Sequence, residues 1–189
     1  MTASPEEVLE FWLKETGPKG WYKSSDDLDE AIRTRFLETW EQAKSGDLDA
    51  WECSARNALA LLIVLDQFPR NMFRGEMQSF ETDAKALALA KKSISKGFDK
   101  ETPLPERQFF YLPMMHSESG PDQDMSVRLI MLNLEGDDNL KHARVHRDVI
   151  RQFGRFPYRN DALGRSTTPA EAEYLANGGY AFSMREFAG

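Results

Sequence analysis

The 189 residues are long enough to bury a sizeable core in one domain, and 41% hydrophobic with 29% charged residues is the balance of a globular chain. A formal charge of −7 argues against a nucleic-acid partner, because a phosphate backbone rewards a basic surface. The single Cys53 excludes an internal disulfide, Met1–Gly20 lacks the apolar stretch of a signal peptide, and the longest apolar run, Ala58 to Leu65, is too short for a membrane span, so a cytoplasmic protein is expected.

In chain order, Ser4-Pro5-Glu6-Glu7 reads as an N-cap, a proline in the first turn and a carboxylate closing a capping box. Val8, Leu9, Phe11 and Trp12 supply the apolar side of this first helix, and Gly17-Pro18 ends it. A second helix is predicted from about Asp26 to Ala43, with Leu28, Ile32, Phe36 and Trp40 at four-residue spacing and Ser45-Gly46-Asp47 as its stop. The third, about Asp49 to Leu65, is apolar nearly all round past Ala58 and reads as central; Cys53 falls in its core. After an irregular connection from Phe73 to Thr82, a fourth helix runs over Asp83–Lys96 to Gly97.

Thr102-Pro103 and Pro105-Glu106 open a fifth helix carrying Phe109, Phe110, Leu112 and Met115. Ser117 to Pro121 reads as a loop, Gln123 to Leu134 as a sixth helix and Asn139 to Phe153 as a seventh. Thr168-Pro169-Ala170-Glu171 is a second capping box, opening a short last helix that Gly178-Gly179 stops. Tyr180, Phe182, Met184 and Phe187 suggest a tail that packs. The expectation is one all-α domain over 1–189 with about eight helices and no strand, its short turns making neighbours antiparallel. No regular repeat is readable.

Two near-duplicate strings stand out: Phe68-Pro69-Arg70-Asn71 and Phe156-Pro157-Tyr158-Arg159-Asn160. Each follows a helical pattern that its proline should end, leaving an arginine and an asparagine on a rigid turn. Such side chains grip planar anions and amides through paired hydrogen bonds. Arg70, Asn71 and Arg74 are therefore candidate ligand-binding residues, although Arg70 would serve equally well as a cap on the last carbonyls of the third helix. Arg155, Arg159 and Asn160 are their counterparts at the second turn. With Arg165 they place three arginines within eleven residues, a local positive patch that attracts anions or pairs with nearby acids.

Pro113 should end the fifth helix and leave His116 and Glu118 on the stretch beyond, as a candidate acid/base pair or a helix-end cap. His142 and His146 lie one turn apart and share an inward face. That spacing suits a metal, but the string is not His-Glu-x-x-His and no third ligand is near, so a polar lining or a hydrogen-bonded core histidine is expected. His116, His146 and Glu118 are the candidate catalytic residues. No Gly-x-Gly-x-x-Gly, phosphate loop or Gly-x-Ser-x-Gly elbow occurs, and neither a cofactor nor a metal is expected.

The strings Leu65-Asp66-Gln67-Phe68-Pro69-Arg70-Asn71, Phe110-Tyr111-Leu112-Pro113-Met114-Met115-His116-Ser117-Glu118, and His146 through Asn160 together resemble a bacterial family, the domain of unknown function 924. The resemblance runs from Glu7 to about Tyr174. It implies an all-α fold similar to tetratricopeptide-repeat proteins, with antiparallel helix pairs in a superhelix, and no established activity. Two function classes follow from the residues. One is a small anionic ligand, a carboxylate or phosphate, held by the arginines with a histidine as acid or base. The other is an extended peptide cradled in a groove. In either case no nucleic acid and no membrane is involved.

Overall fold

The computed structural model describes residues 2–23 and 25–186. Every regular element among them is helical, and none is long and apolar enough to cross a membrane. The chain forms two compact units, Met1–Pro113 and Met114–Gly189.

In the first unit, helix α1 begins as Pro5–Leu9 behind the Ser4 capping box and continues in π register over Glu10–Thr16. Helix α2 spans Asp26–Ser45, opened by the Ser25 hydroxyl and closed by Gly46 at φ 100°. Helix α3 covers 55–72 in three pieces, Ala55–Leu62, a π-helical Ile63–Gln67 and Phe68–Met72. Helix α4 is Asp83–Ser95. Asp29 near the start of α2 meets Asn71 at the end of α3 (2.8 Å), so α2 and α3 run antiparallel. Their core is aromatic: Phe68 lies against Phe11, Trp12 and Phe36 at centroid distances of 6.1, 5.6 and 4.7 Å, and Phe109 packs on Trp12 and Trp21.

Three sequence expectations need correction here. Pro69 does not end α3. The i→i+5 turn, in which the Phe68 amide bonds the Ile63 carbonyl, gives the proline ring room and absorbs its missing donor, so helix continues to Met72. The helix also starts later than expected, at Ala55, because the Ser54 hydroxyl caps it. Asp49–Cys53 is a separate 3-10 turn, which leaves Cys53 exposed rather than in a helix core. The expected fifth helix is a 3-10 turn, Glu106–Phe110, followed by one helical turn, Leu112–Met115. Prolines at 103, 105 and 113 remove the donors a longer helix needs.

In the second unit, α5 is Gly120–Asn133, α6 Asp138–Phe153, α7 Pro169–Ala176 and α8 Gly179–Glu186. Asp124 early in α5 pairs with Arg151 late in α6 (3.0 Å), so these two are antiparallel. Helix α5 begins before the expected Gln123 because Pro121 sits in its first turn, where the missing amide costs nothing. Gly178-Gly179 is a joint rather than a terminus, with φ of 105° and 55°, and helix resumes through the tail. Phe187 lies outside the described residues. Val149, Ile150, Phe156 and Tyr174 form the apolar centre of the unit, with Phe153 packed against it.

Candidate functional site

The two arginine turns fall in different units and are built differently. In the first, Arg70 donates to the Asp66 carbonyl and to the Asp83 carboxylate (2.8 Å), with the Asp66 carboxylate at 3.3 Å. Arg74 grips Asp29 through Nε and Nη2 at 3.0 and 2.9 Å, and the Asn71 amide donates to that same carboxylate. Gln67 Nε2 donates to Asp66 Oδ2 at 2.5 Å. Two guanidiniums thus meet three carboxylates. Such a turn is electrostatically saturated and slightly acidic, a poor receiver for a further anion.

The second unit joins the remaining candidates. Segment 114–119 is pinned to the start of α5 by the Gln123 amide, which donates to the Met115 and Ser117 carbonyls at 2.7 Å, and by the Ser117 hydroxyl on Asp122. This pinning fixes His116 and Glu118. Helix α6 ends at Gly154 (φ 71°), and Pro157–Arg159 turns the chain back. The Phe156 amide then donates to Glu118 Oε1 at 2.9 Å, and Arg159 Nη2 to the His116 carbonyl at 2.9 Å. The Arg159 guanidinium is 5% exposed and lies over the Phe156 ring, 4.7 Å from its centroid. The loop after it closes with the Arg165 amide on the Asn160 carbonyl, which brings Arg165 Nη1 to within 2.9 Å of Glu118. Arg155 completes the ring with a fork onto Glu171 at 2.6 and 2.8 Å, while the Asn160 amide reaches Glu171 and Thr167.

Three guanidiniums (Arg155, Arg159, Arg165) converge here, and Arg165 and Arg155 are held by the carboxylates of Glu118 and Glu171. Both acids stay ionised. The Arg155 fork, with the amide and hydroxyl of Thr168, pulls the Glu171 carboxyl down to about 2. At Glu118, burial pushes upward. The hydrogen bonds from Arg165 and the Phe156 amide, with the charges of Arg165 and Arg159, outweigh it and hold the carboxyl below its ordinary value.

His142 and His146 are neutral near pH 7. His146 is pushed down to about 3, first by burial, then by the neighbouring His116, against a raising hydrogen bond to the His142 carbonyl. That bond (2.9 Å) settles the tautomer: a carbonyl only accepts, so Nδ1 carries the proton and Nε2 bears a lone pair. The ring sits with its edge to Phe156 (5.3 Å), beside Tyr180 (4.8 Å) and near His116 (6.4 Å). His142 stacks on Tyr180 and bonds its hydroxyl through Nδ1; burial lowers its pKa as well. Among the described residues no group of three or more His, Cys, Asp or Glu is placed to hold a metal ion.

Within the second unit, His116, Glu118, His146, Arg155, Arg159 and Asn160 are thus linked by contacts; Arg70, Asn71 and Arg74 form a separate cluster in the first. Sequence reasoning overlooked Glu171 and Tyr180. Glu171 reads locally as a capping-box acid, and that it does perform, accepting from the Thr168 amide at 2.8 Å. Its second role, as the counter-ion of Arg155 sixteen residues away, leaves no local signal. Tyr180 was signalled only by the aromatic content of the tail.

The chain is similar in structure to a protein of unknown function from Agrobacterium tumefaciens, with a TM-score of 0.87 and 39% identity, over 92% of this chain and 97% of that one. No curated protein matches it. A family model described as "Bacterial protein of unknown function (DUF924)" matches residues 8–179. With nearly its whole length matched, the chain belongs to the DUF924 family.

Proposed function

We propose that the second unit binds a small anion, a carboxylate or a phosphate, at the network of His116, Glu118, His146, Arg155, Arg159, Asn160 and Arg165. The observation that carries this reading is the gathering of three guanidiniums, Arg155, Arg159 and Arg165, on one stretch where Arg165 reaches solvent, whereas Arg70 and Arg74 of the first unit are each held by carboxylates. An anion that reaches this stretch meets several guanidinium donors at once. Arg165 is the entry point, since its side chain is 32% exposed while Arg159 is buried. Of the histidines, His146 is suited to accept a hydrogen bond or a proton, not to act as an acid near neutral pH, because its ring is already deprotonated there. The test is an NMR titration of isotope-labelled protein with acetate and with inorganic phosphate, following the arginine Nε–Hε signals. Shifts confined to Arg155, Arg159 and Arg165 are expected. Shifts at Arg70 and Arg74 instead, or at none of the five, would refute the assignment.

The alternative, a tetratricopeptide-like superhelix that holds an extended peptide, draws support from a different feature. Met125, Met131 and Leu132 stand 46, 52 and 64% exposed on α5, an apolar surface of the adaptable, methionine-rich kind that peptides use. On that reading, a random peptide library would yield binders whose signals move α5 and leave the arginines still.

A further inference from the structure

Helix α5 carries a surface that the arginine network does not use. Met125, Met131 and Leu132 are 46, 52 and 64% exposed, and each lies one helical turn from the exposed Arg128. Apolar side chains scattered singly over a surface need no explanation, but three gathered around one cation mark a place of contact. The neighbouring helix extends it. Asp124 of α5 pairs with Arg151 of α6 and the two helices are antiparallel. About two turns further along α5 and two turns back along α6, Met131 therefore comes level with Arg144.

Charge says what such a face receives. Asp124 answers Arg147 and Arg151 at 3.6 and 3.0 Å, and Asp148 lies 3.9 Å from each of the same two arginines. Asp122 is buried on the other side of α5, where it takes the Ser117 hydroxyl. The turn beyond Leu132 exposes Glu135, Asp137 and Asp138, and none of them pairs with Arg128 or Arg144. Among the described residues the guanidiniums of Arg128 and Arg144 have no ion pair or hydrogen bond. Two such arginines set beside methionine and leucine are complementary to a segment that brings carboxylates among apolar side chains.

Two other occupants fit less well. A two-fold axis that packed Met125 of one copy on Leu132 of another would set the two Arg128 side chains beside each other. An anionic membrane would be pressed against Glu135, Asp137 and Asp138, which follow Leu132 directly. We infer that this face docks a short segment of a partner protein in which aspartate or glutamate is interspersed with large apolar residues. This rests on the peptide reading and adds to it the charge of the partner.

Three synthetic peptides of one apolar pattern, their polar positions filled with glutamate, glutamine or lysine, are titrated into isotope-labelled protein at pH 7.5. The glutamate peptide should shift the amide signals of residues 125–132 and bind about fivefold more tightly than the glutamine peptide, with the lysine peptide weakest. In Arg128→Gln, an exposed substitution with no ion pair to break, the glutamate and glutamine peptides should differ by less than about twofold. Equal binding of those two peptides by the parent protein overturns the charge inference and leaves the peptide reading standing. If none of the three, and no member of a random library, moves α5, both fall. Shifts of α5 with phosphatidylserine vesicles but not with the glutamate peptide would give the face to a membrane. Shifts on raising the protein concentration alone would give it to a second copy, and either result overturns the inference.

Discussion

Phe156 is the side chain on which the second unit's chemistry rests. It is fully buried, carries Arg159 on one side and meets the edge of His146, while its amide holds Glu118. Phe156→Ala should therefore cost about 3–5 kcal/mol in urea unfolding, the range for a fully buried aromatic ring. Glu118→Gln makes a contrasting case. The amide oxygen still accepts from Phe156, but the charge opposite Arg165 is gone, so a loss of about 1–2 kcal/mol is expected, with tighter anion binding as a negative charge leaves the side of Arg165. Weaker anion binding in that variant would count against the proposed site. The pH response has a definite sign. His146 has a folded pKa near 3, below its unfolded value of about 6.5, so the unfolded chain takes up a proton that the native one refuses. Its contribution is present above pH 6.5 and is lost as pH falls toward 3. Glu118 and Glu171, held low, lose theirs over the lower window that begins near pH 4.3. Urea unfolding at pH 7.5, 6 and 5 should show stability falling with acid. In His146→Phe the fall between 6.5 and 5 should be shallower.

Helix ends explain both what was legible in the sequence and what was not. Ser4 and Thr168 each cap the helix that its capping box announced, Ser25 caps α2 without having been singled out, and Gly46, Gly97 and Gly154 follow the ends of α2, α4 and α6 in left-handed conformation. Gly154 tests this cleanly, because a Cβ added there would meet nothing within 4 Å. Gly154→Ala should cost about 1–2 kcal/mol from the positive φ alone, measured by urea unfolding, and an unchanged midpoint would contradict the left-handed assignment. What failed was the rule that proline ends a helix. At Pro157 it was not put to work, since Gly154 had already closed α6 and a 3-10 turn follows. At Pro69 it failed, because the π turn Ile63–Gln67 just before it widened the ladder, and nothing in that stretch marks such a turn in advance. The two arginine strings, alike on paper, consequently stand on different backbones: one on a continuing helix, the other on a turn. The candidate site was half legible for the same reason. Arginine, asparagine and histidine near helix ends are local facts, whereas the carboxylates that answer them, Asp29 forty-five residues from Arg74 and Glu171 sixteen from Arg155, are set by packing.

Over the whole molecule the net charge of −7 conceals an uneven distribution. The first unit engages its arginine turn in internal ion pairs around Asp29, Asp66 and Asp83, and the second gathers Arg155, Arg159 and Arg165 in one network. On the proposed reading, a protein acidic overall with three arginines gathered in one partly exposed network offers an anion a favoured place there. Thermal unfolding of the parent, Arg165→Gln and Arg74→Gln proteins, with and without a saturating small carboxylate such as acetate, tests this most directly. At about 100 times its dissociation constant the anion should stabilise the parent by about 2.7 kcal/mol, or roughly 5–10 °C for a chain of this size. Arg74→Gln should respond as fully as the parent and Arg165→Gln should not respond. An equal response in all three proteins, or none in the parent, would contradict the anion-binding network.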